Sequence, residues 1–170
     1  MQLFCAGRIG EIAGIQIKNI NLIKKQLKIK EVIVWVNGKP HIKSYPKNGE
    51  IRIVHINKTL EDIFLKHMSL KKENCPFLFH RDGEAFRYNA INEAYLRAWK
   101  KSGLYPKFSG SHQIRYSGAQ LARKICGSLD AAMAVTGHKS SRMAEKYSHS
   151  FNHELNKEAS LKMQDFLINN

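Results

Sequence analysis

Four groups of residues in this 170-residue chain have the types and spacing to handle an anion or a nucleophile. His112-Gln113-Ile114-Arg115 sets an imidazole and a guanidinium three apart. On a helix that is one face, and the pair makes half of an anion clamp. Gly137-His138 precedes Tyr147, the last tyrosine of the chain, by nine residues counted from His138. Arg8-Ile9-Gly10-Glu11 lets a carboxylate hold a guanidinium across one helical turn. Lys47 sits beside Asn48-Gly49 in a turn between two strand-like runs. Taken singly, each has an ordinary explanation. H-x-x-R recurs by chance, a surface Arg–Glu pair contributes little, and a turn lysine is usually just solvated. His149 and His153 lie four apart but find no third ligand at a convincing spacing, so no metal site is expected. Cys5, Cys75 and Cys126 are odd in number, distant, and without a C-x-x-C. No disulfide framework or thiolate zinc site is expected, and a reducing compartment fits.

The elements that must position these groups can be read from periodicity. Ile9, Ile12, Ala13 and Ile17 predict a helix over 8–18. Residues 26–36 are β-branched and partly alternating and predict a strand. Asn37-Gly38 is a hairpin signal, followed by strands over 42–45 and 51–56. A three-stranded antiparallel sheet over 26–56 is therefore expected. The remainder reads as helical, with segments at 59–68, 88–102 (Ile91, Tyr95 and Trp99 at spacing four), 112–126, 129–136, 140–147 and 154–168. Gly137 closes the fifth of the sequence's apolar helical runs as a C-terminal cap. In the last segment Leu155, Ala159, Met163, Phe166 and Leu167 form a stripe that must be covered, on its own domain or on a neighbouring subunit. The fold class is thus mixed α+β, mainly helical with a small antiparallel sheet.

Composition narrows the partner. Hydrophobic residues are 43% and charged residues 25%, as in ordinary globular proteins, and the length suits one domain at ~100–200 residues each. No run of ~18 apolar residues predicts a spanning helix, and Met1 to Arg8 does not read as a signal peptide. The abrupt helical start suggests a chain that begins inside a longer protein. Lys and Arg number 28 against 14 acidic residues, a net +14. Ten of the basic residues fall between 18 and 58, opposed only by Glu31 and Glu50. Such a surplus points to a polyanion, nucleic acid before an anionic membrane surface.

In chain order, the Arg-Ile-Gly-Glu helix, the hairpin lysine, H-x-x-R, Gly-His and the later tyrosine resemble the catalytic domain of the tyrosine recombinases, the phage integrase family. The resemblance covers residues 5 to about 151. Two positions depart from the family pattern. The segment before the first arginine reads Cys5-Ala6-Gly7-Arg8, and Gln113 stands where an aspartate is usual. The resemblance implies the DNA breaking-rejoining fold over 1–170 as one catalytic domain, with a tail helix in 152–170 and the family's upstream DNA-clamp domain outside the chain. It implies Arg8, Lys47, His112, Arg115, His138 and Tyr147 as catalytic residues, Tyr147 as the nucleophile and Glu11 in support. Lys43, Lys47, Arg52, Lys139 and Arg142 are expected to contact DNA. It also implies site-specific recombination through a 3′-phosphotyrosyl intermediate, without metal or other cofactor. The partners it implies are duplex attachment sites, further copies of the chain as a tetramer on DNA, and accessory DNA-bending proteins; a membrane is not among them. Location would be cytoplasmic, at the nucleoid of a bacterium or phage host. Type IB topoisomerases and telomere resolvases share the residue set. A decayed, non-catalytic DNA-binding relative would be expected to have lost part of it.

Overall fold

The computed structural model describes residues 1–44, 51–137 and 153–169. Asn37 and Gly38 both adopt positive φ, 50° and 74°, the conformation a two-residue hairpin turn demands. They join β3 (Val32–Val36) to β4 (Lys39–Lys43), antiparallel with Val36 opposite Lys39. The strand expected over 26–36 does not run through. It breaks at Lys30 and Glu31, where Glu31 turns inward to meet the Lys18 ammonium at 3.3 Å and the Asn19 amide. The segment before the break, β2 (Gln26–Ile29), pairs with β1 (Ile20–Asn21) on one side and β5 (Arg52–His55) on the other. The expected three-stranded antiparallel sheet exists with different members, and the hairpin forms a second, two-stranded sheet.

The helix expected over 8–18 is also shorter. It is α2 (Ile9–Ala13), followed by a 3₁₀ turn at Ile17–Asn19. Before it lies α1 (Gln2–Cys5). Later helices follow their sequence signals closely: α3 (Lys58–Met68), α4 (Tyr88–Lys101), α5 (His112–Cys126), α6 (Leu129–Thr136) and α7 (His153–Ile168). The Asn57 side chain caps α3 by accepting from the Leu60 N–H at 2.9 Å, and Ser128 does the same for α6 through the Asp130 N–H. The helix expected over 140–147 lies outside the described residues. Among those described, no helix is long and apolar enough to cross a membrane.

The main core fills the space between the β1–β2–β5 sheet and the helices. Leu27, Ile29, Val54 and Ile56 meet Phe4, Leu60, Phe64, Ala122, Val135, Ala159 and Met163. Ile91, Tyr95 and Trp99 of α4, the expected apolar face, line a cavity of about 690 Å³ together with Leu3, Ile12 and Phe79. The tail helix α7 packs on its own chain, against α5, α6 and β5. Ala159 and Met163 of the expected stripe are covered, together with Asn156 and Ser160; Phe166 and Leu167 stay partly exposed, an offset from that stripe, and the Leu155 side chain lies outside the described residues. Polar contacts explain the offset. Asn156 Oδ1 accepts from the His55 N–H at 2.9 Å, and Asn57 Nδ2 donates to the Ser160 hydroxyl at 3.1 Å.

The approach of α1 to α5 brings the site together, and one glycine permits it. A Cβ at Gly118 would lie 2.3 Å from the Leu3 carbonyl oxygen. Alanine is the better helix former by ~1 kcal/mol, but a backbone clash at that distance must be relieved by moving α1 away. Gly118→Ala is therefore expected to destabilise the protein by about 1–3 kcal/mol, read as a lower urea midpoint at unchanged slope. A stabilised variant would refute the close packing.

Candidate active site

Glu11 is the centre of the described part of the site. As the third residue of α2 its carboxylate reaches back to accept from the Arg8 backbone N–H at 3.0 Å, half of a helix-capping arrangement. Its other oxygen meets Arg8 Nη1 at 2.9 Å. Two more guanidiniums converge from elsewhere in the chain. Arg52 Nη2, on β5, lies 2.9 Å from Glu11 Oε2, and Arg115 Nη1, one turn into α5, lies 3.9 Å from the same oxygen. Among the described residues, three arginines stand around this one carboxylate. Arg8 is the open part of this cluster, with its side chain 36% exposed against 4% for Arg115.

The two buried arginines also act on the backbone, in parallel. Arg52 Nη1 donates to the Cys5 and Val135 carbonyls. Arg115 donates to the next carbonyl along each segment, Ala6 from Nη1 and Thr136 from Nη2. The loop that delivers Arg8 and the end of α6 that leads to His138 are thus stapled together twice. Gly137 turns the chain out of α6 with φ of 66° and donates its N–H to the Met133 carbonyl at 2.8 Å, the cap its sequence position predicts.

Charge state follows from burial and neighbours. Burial pushes the Glu11 carboxyl up, but the Arg52 charge and the hydrogen bonds from Arg8 outweigh it and hold the group below the ordinary carboxylate range. Burial, then the Arg8 charge, bring the Arg115 guanidinium down to about 10 against the opposing pull of Glu11, so it stays charged at neutral pH. Burial pushes the neighbouring Cys5 thiol up to about 11, which leaves it protonated and unreactive.

The sign of the Glu11 shift sets a stability prediction. A depressed folded value contributes stability that is present above the unfolded value of ~4.3 and lost as pH falls through the folded one. Wild-type unfolding free energy should therefore fall on acidification below about pH 4. Glu11→Gln should flatten that limb and cost roughly 3–5 kcal/mol at neutral pH, because buried guanidiniums lose their counter-charge. Urea melts across pH check both.

The sequence-derived candidates divide clearly. Arg8, Glu11 and Arg115 come together as expected. His112 opens α5 one turn before Arg115, exposed and edge-on to the Tyr116 ring at 4.9 Å. Gln113, at the position that departs from the family pattern, has a buried Oε1 with no hydrogen-bond partner among the described residues. Lys43 is exposed at the end of β4. Lys47, His138, Lys139, Arg142 and Tyr147 lie outside the described residues. Arg52 is the correction. Expected to face DNA, it is 7% exposed, and it donates to Glu11 and to two backbone carbonyls. The signal for this was available: Arg52, Val54 and Ile56 share one face of an alternating strand, and all three are buried.

Known proteins of similar sequence and fold identify the family. The phage integrase family matches residues 1–154. A protein named as a prophage phiRv2 integrase, in two strains of Mycobacterium tuberculosis, is 25% identical over 154 residues, 88% of this chain and 40% of the relative. Among solved structures, the Tn1549 transposon integrase in complex with circular intermediate DNA superposes with TM-score 0.68 at 18% identity, over 88% of this chain and 52% of that one. XerH recombinase bound to difH substrate gives 0.59 at 21% identity, over 88% and 40%, and XerA recombinase 0.60 at 18%, over 95% and 55%. The fold is therefore that of tyrosine recombinase catalytic domains, and the chain spans about two-fifths of its curated relatives' length. With the family matched over nearly its whole length, and the Arg-Ile-Gly-Glu and H-x-x-R segments gathered at one carboxylate, the chain belongs to the phage integrase family.

Proposed function

We propose that the chain is the catalytic domain of a site-specific tyrosine recombinase that integrates or excises a mobile genetic element. The observation that carries the reading is the convergence of Arg8 and Arg115 on Glu11, with Arg8 open to solvent. A phosphodiester is anionic, and nucleophilic attack adds a second negative charge in the pentavalent transition state. Paired guanidiniums neutralise both, and arginine suits this because it stays charged and donates in a planar fork.

In the proposed step the Tyr147 oxygen attacks phosphorus and the bond to the 5′ oxygen breaks. The tyrosine proton passes to His112, and Lys47 gives a proton to the departing 5′ oxygen. His138 adds a hydrogen bond to the phosphate. The product is a 3′-phosphotyrosyl link and a free 5′ hydroxyl. A second strand's 5′ hydroxyl reverses the step. Because the phosphotyrosine bond conserves the energy of the broken one, the chemistry calls on no cofactor.

Duplex attachment-site DNA is the substrate in this reading, with four copies of the chain assembled on it, accessory DNA-bending proteins as further partners, and the nucleoid in the cytoplasm as the setting. Structural relatives solved in complex with DNA support the choice of partner. Exposed Lys24, Lys28, Lys39 and Lys43 supply basic surface, whereas Lys18, Lys25 and Lys58 are already paired with Glu31, Glu61 and Asp62. The test is incubation with nicked suicide duplexes carrying the ends of the encoding element. A covalent protein–DNA band on denaturing electrophoresis is expected. Relaxation of supercoiled plasmid without site preference would instead favour a topoisomerase.

A further inference from the structure

Arg52 lies on a strand face whose other members, Val54 and Ile56, are fully apolar and buried. An isoleucine there would fill the core without the desolvation cost of a guanidinium. The contacts of Arg52 go instead to three places, each next to a candidate for the chemistry. Nη2 holds Glu11 Oε2 at 2.9 Å, while Glu11 Oε1 holds Arg8. Nη1 takes the Cys5 carbonyl at 2.6 Å, at the end of α1 just ahead of Arg8, and the Val135 carbonyl, at the end of α6. Its aliphatic stem lies directly under the turn that leads to His138: a Cβ on Gly137 would be 2.7 Å from Arg52 Cδ.

We propose that Arg52 is a positioning residue of the active site, holding Glu11 in the orientation that presents Arg8 and fixing the Gly137 turn relative to it. The inference rests on the recombinase reading above and deepens it. Arg52 does not touch DNA. It works on the same two segments as Arg115, one carbonyl earlier in each. With both staples in place the Arg8 loop and the exit from α6 share one frame.

The test compares wild type, Arg52→Gln and Arg52→Lys in three measurements. These are affinity for duplex DNA against salt, single-turnover cleavage of a suicide substrate at saturating DNA, and the pH profile of that cleavage. Arg52→Gln should cleave about 10²-fold more slowly, the scale of a ~1 Å misplacement, with affinity and salt slope unchanged. Its acid limb should move to higher pH, because Glu11 loses the Arg52 charge. Arg52→Lys should restore the limb and part of the rate. If Arg52→Gln does not fold, Arg52→Lys carries the test: a charge without the fork should give wild-type affinity and cleavage slowed about 10-fold.

A lower affinity with a salt slope reduced by about 0.9 would mean a phosphate contact and overturn the inference. A lowered melting temperature alone, with rate and profile unchanged at a temperature where the variant is folded, would also overturn it. Wild-type cleavage that ignores both substitutions sinks this inference alone. A wild type that forms no covalent adduct sinks the recombinase reading and this inference with it.

Discussion

Tyr147→Phe should abolish the covalent protein–DNA adduct completely while leaving DNA affinity within a few-fold of wild type. Only a hydroxyl is removed, and among the proposed catalytic residues Tyr147 is the one that carries a phenol. An unperturbed phenol has a pKa of ~10, so tyrosine attacks only where positioned groups take its proton and the phosphate charge is neutralised. A rival nucleophile is visible in the structure. Tyr116 is 60% exposed and its ring meets that of His112. The discriminating experiment traps adducts on a nicked suicide duplex with Tyr147→Phe and Tyr116→Phe side by side. Loss of the adduct only in Tyr147→Phe is expected. An adduct that survives there and vanishes in Tyr116→Phe would reassign the nucleophile to α5.

Arg115→Ala is expected to lower single-turnover cleavage by at least ~10², the usual cost of removing one charged donor from a transition state. It should also weaken the fold, which distinguishes it from a purely catalytic substitution. The guanidinium is a hydrogen-bond partner of the Ala6 and Thr136 carbonyls and a counter-charge to Glu11. Removing a partner from buried carbonyls costs roughly 1–3 kcal/mol each, so the melting temperature should fall together with the rate. Arg115→Lys keeps a charge but cannot bridge two carbonyls with a planar fork, and should recover part of the stability and little of the rate. Arg8→Ala, on the exposed arginine, should match the loss of rate with a smaller loss of stability. Cleavage within a few-fold of wild type in Arg115→Ala would remove it from the clamp.

Local order alone made much of this protein legible. The span of α5, the Gly137 cap, the Asn37-Gly38 turn and the i, i+3 pairing of Arg8 with Glu11 all follow from residues close in sequence, because helix faces, caps and two-residue turns are short-range geometry. The chain order of the chemical residues likewise pointed to a family that matches residues 1–154. What sequence alone left open was decided by contacts across the fold. The run 26–36 looks like one strand by propensity, but Glu31 is drawn inward to Lys18 and Asn19, and the halves join different sheets. The apolar stripe of α7 is offset because Asn156 and Ser160 find buried partners on α6, β5 and the Asn57 cap. Arg52 counted as surface charge in a basic stretch, yet tertiary packing places it beneath the site, since Glu11, Cys5 and Val135, 41, 47 and 83 residues away in the chain, converge on its one guanidinium. Composition sums charge but does not say which charges are inside; that depends on which segments meet, and a buried cation is stable only where such distant partners are brought to it.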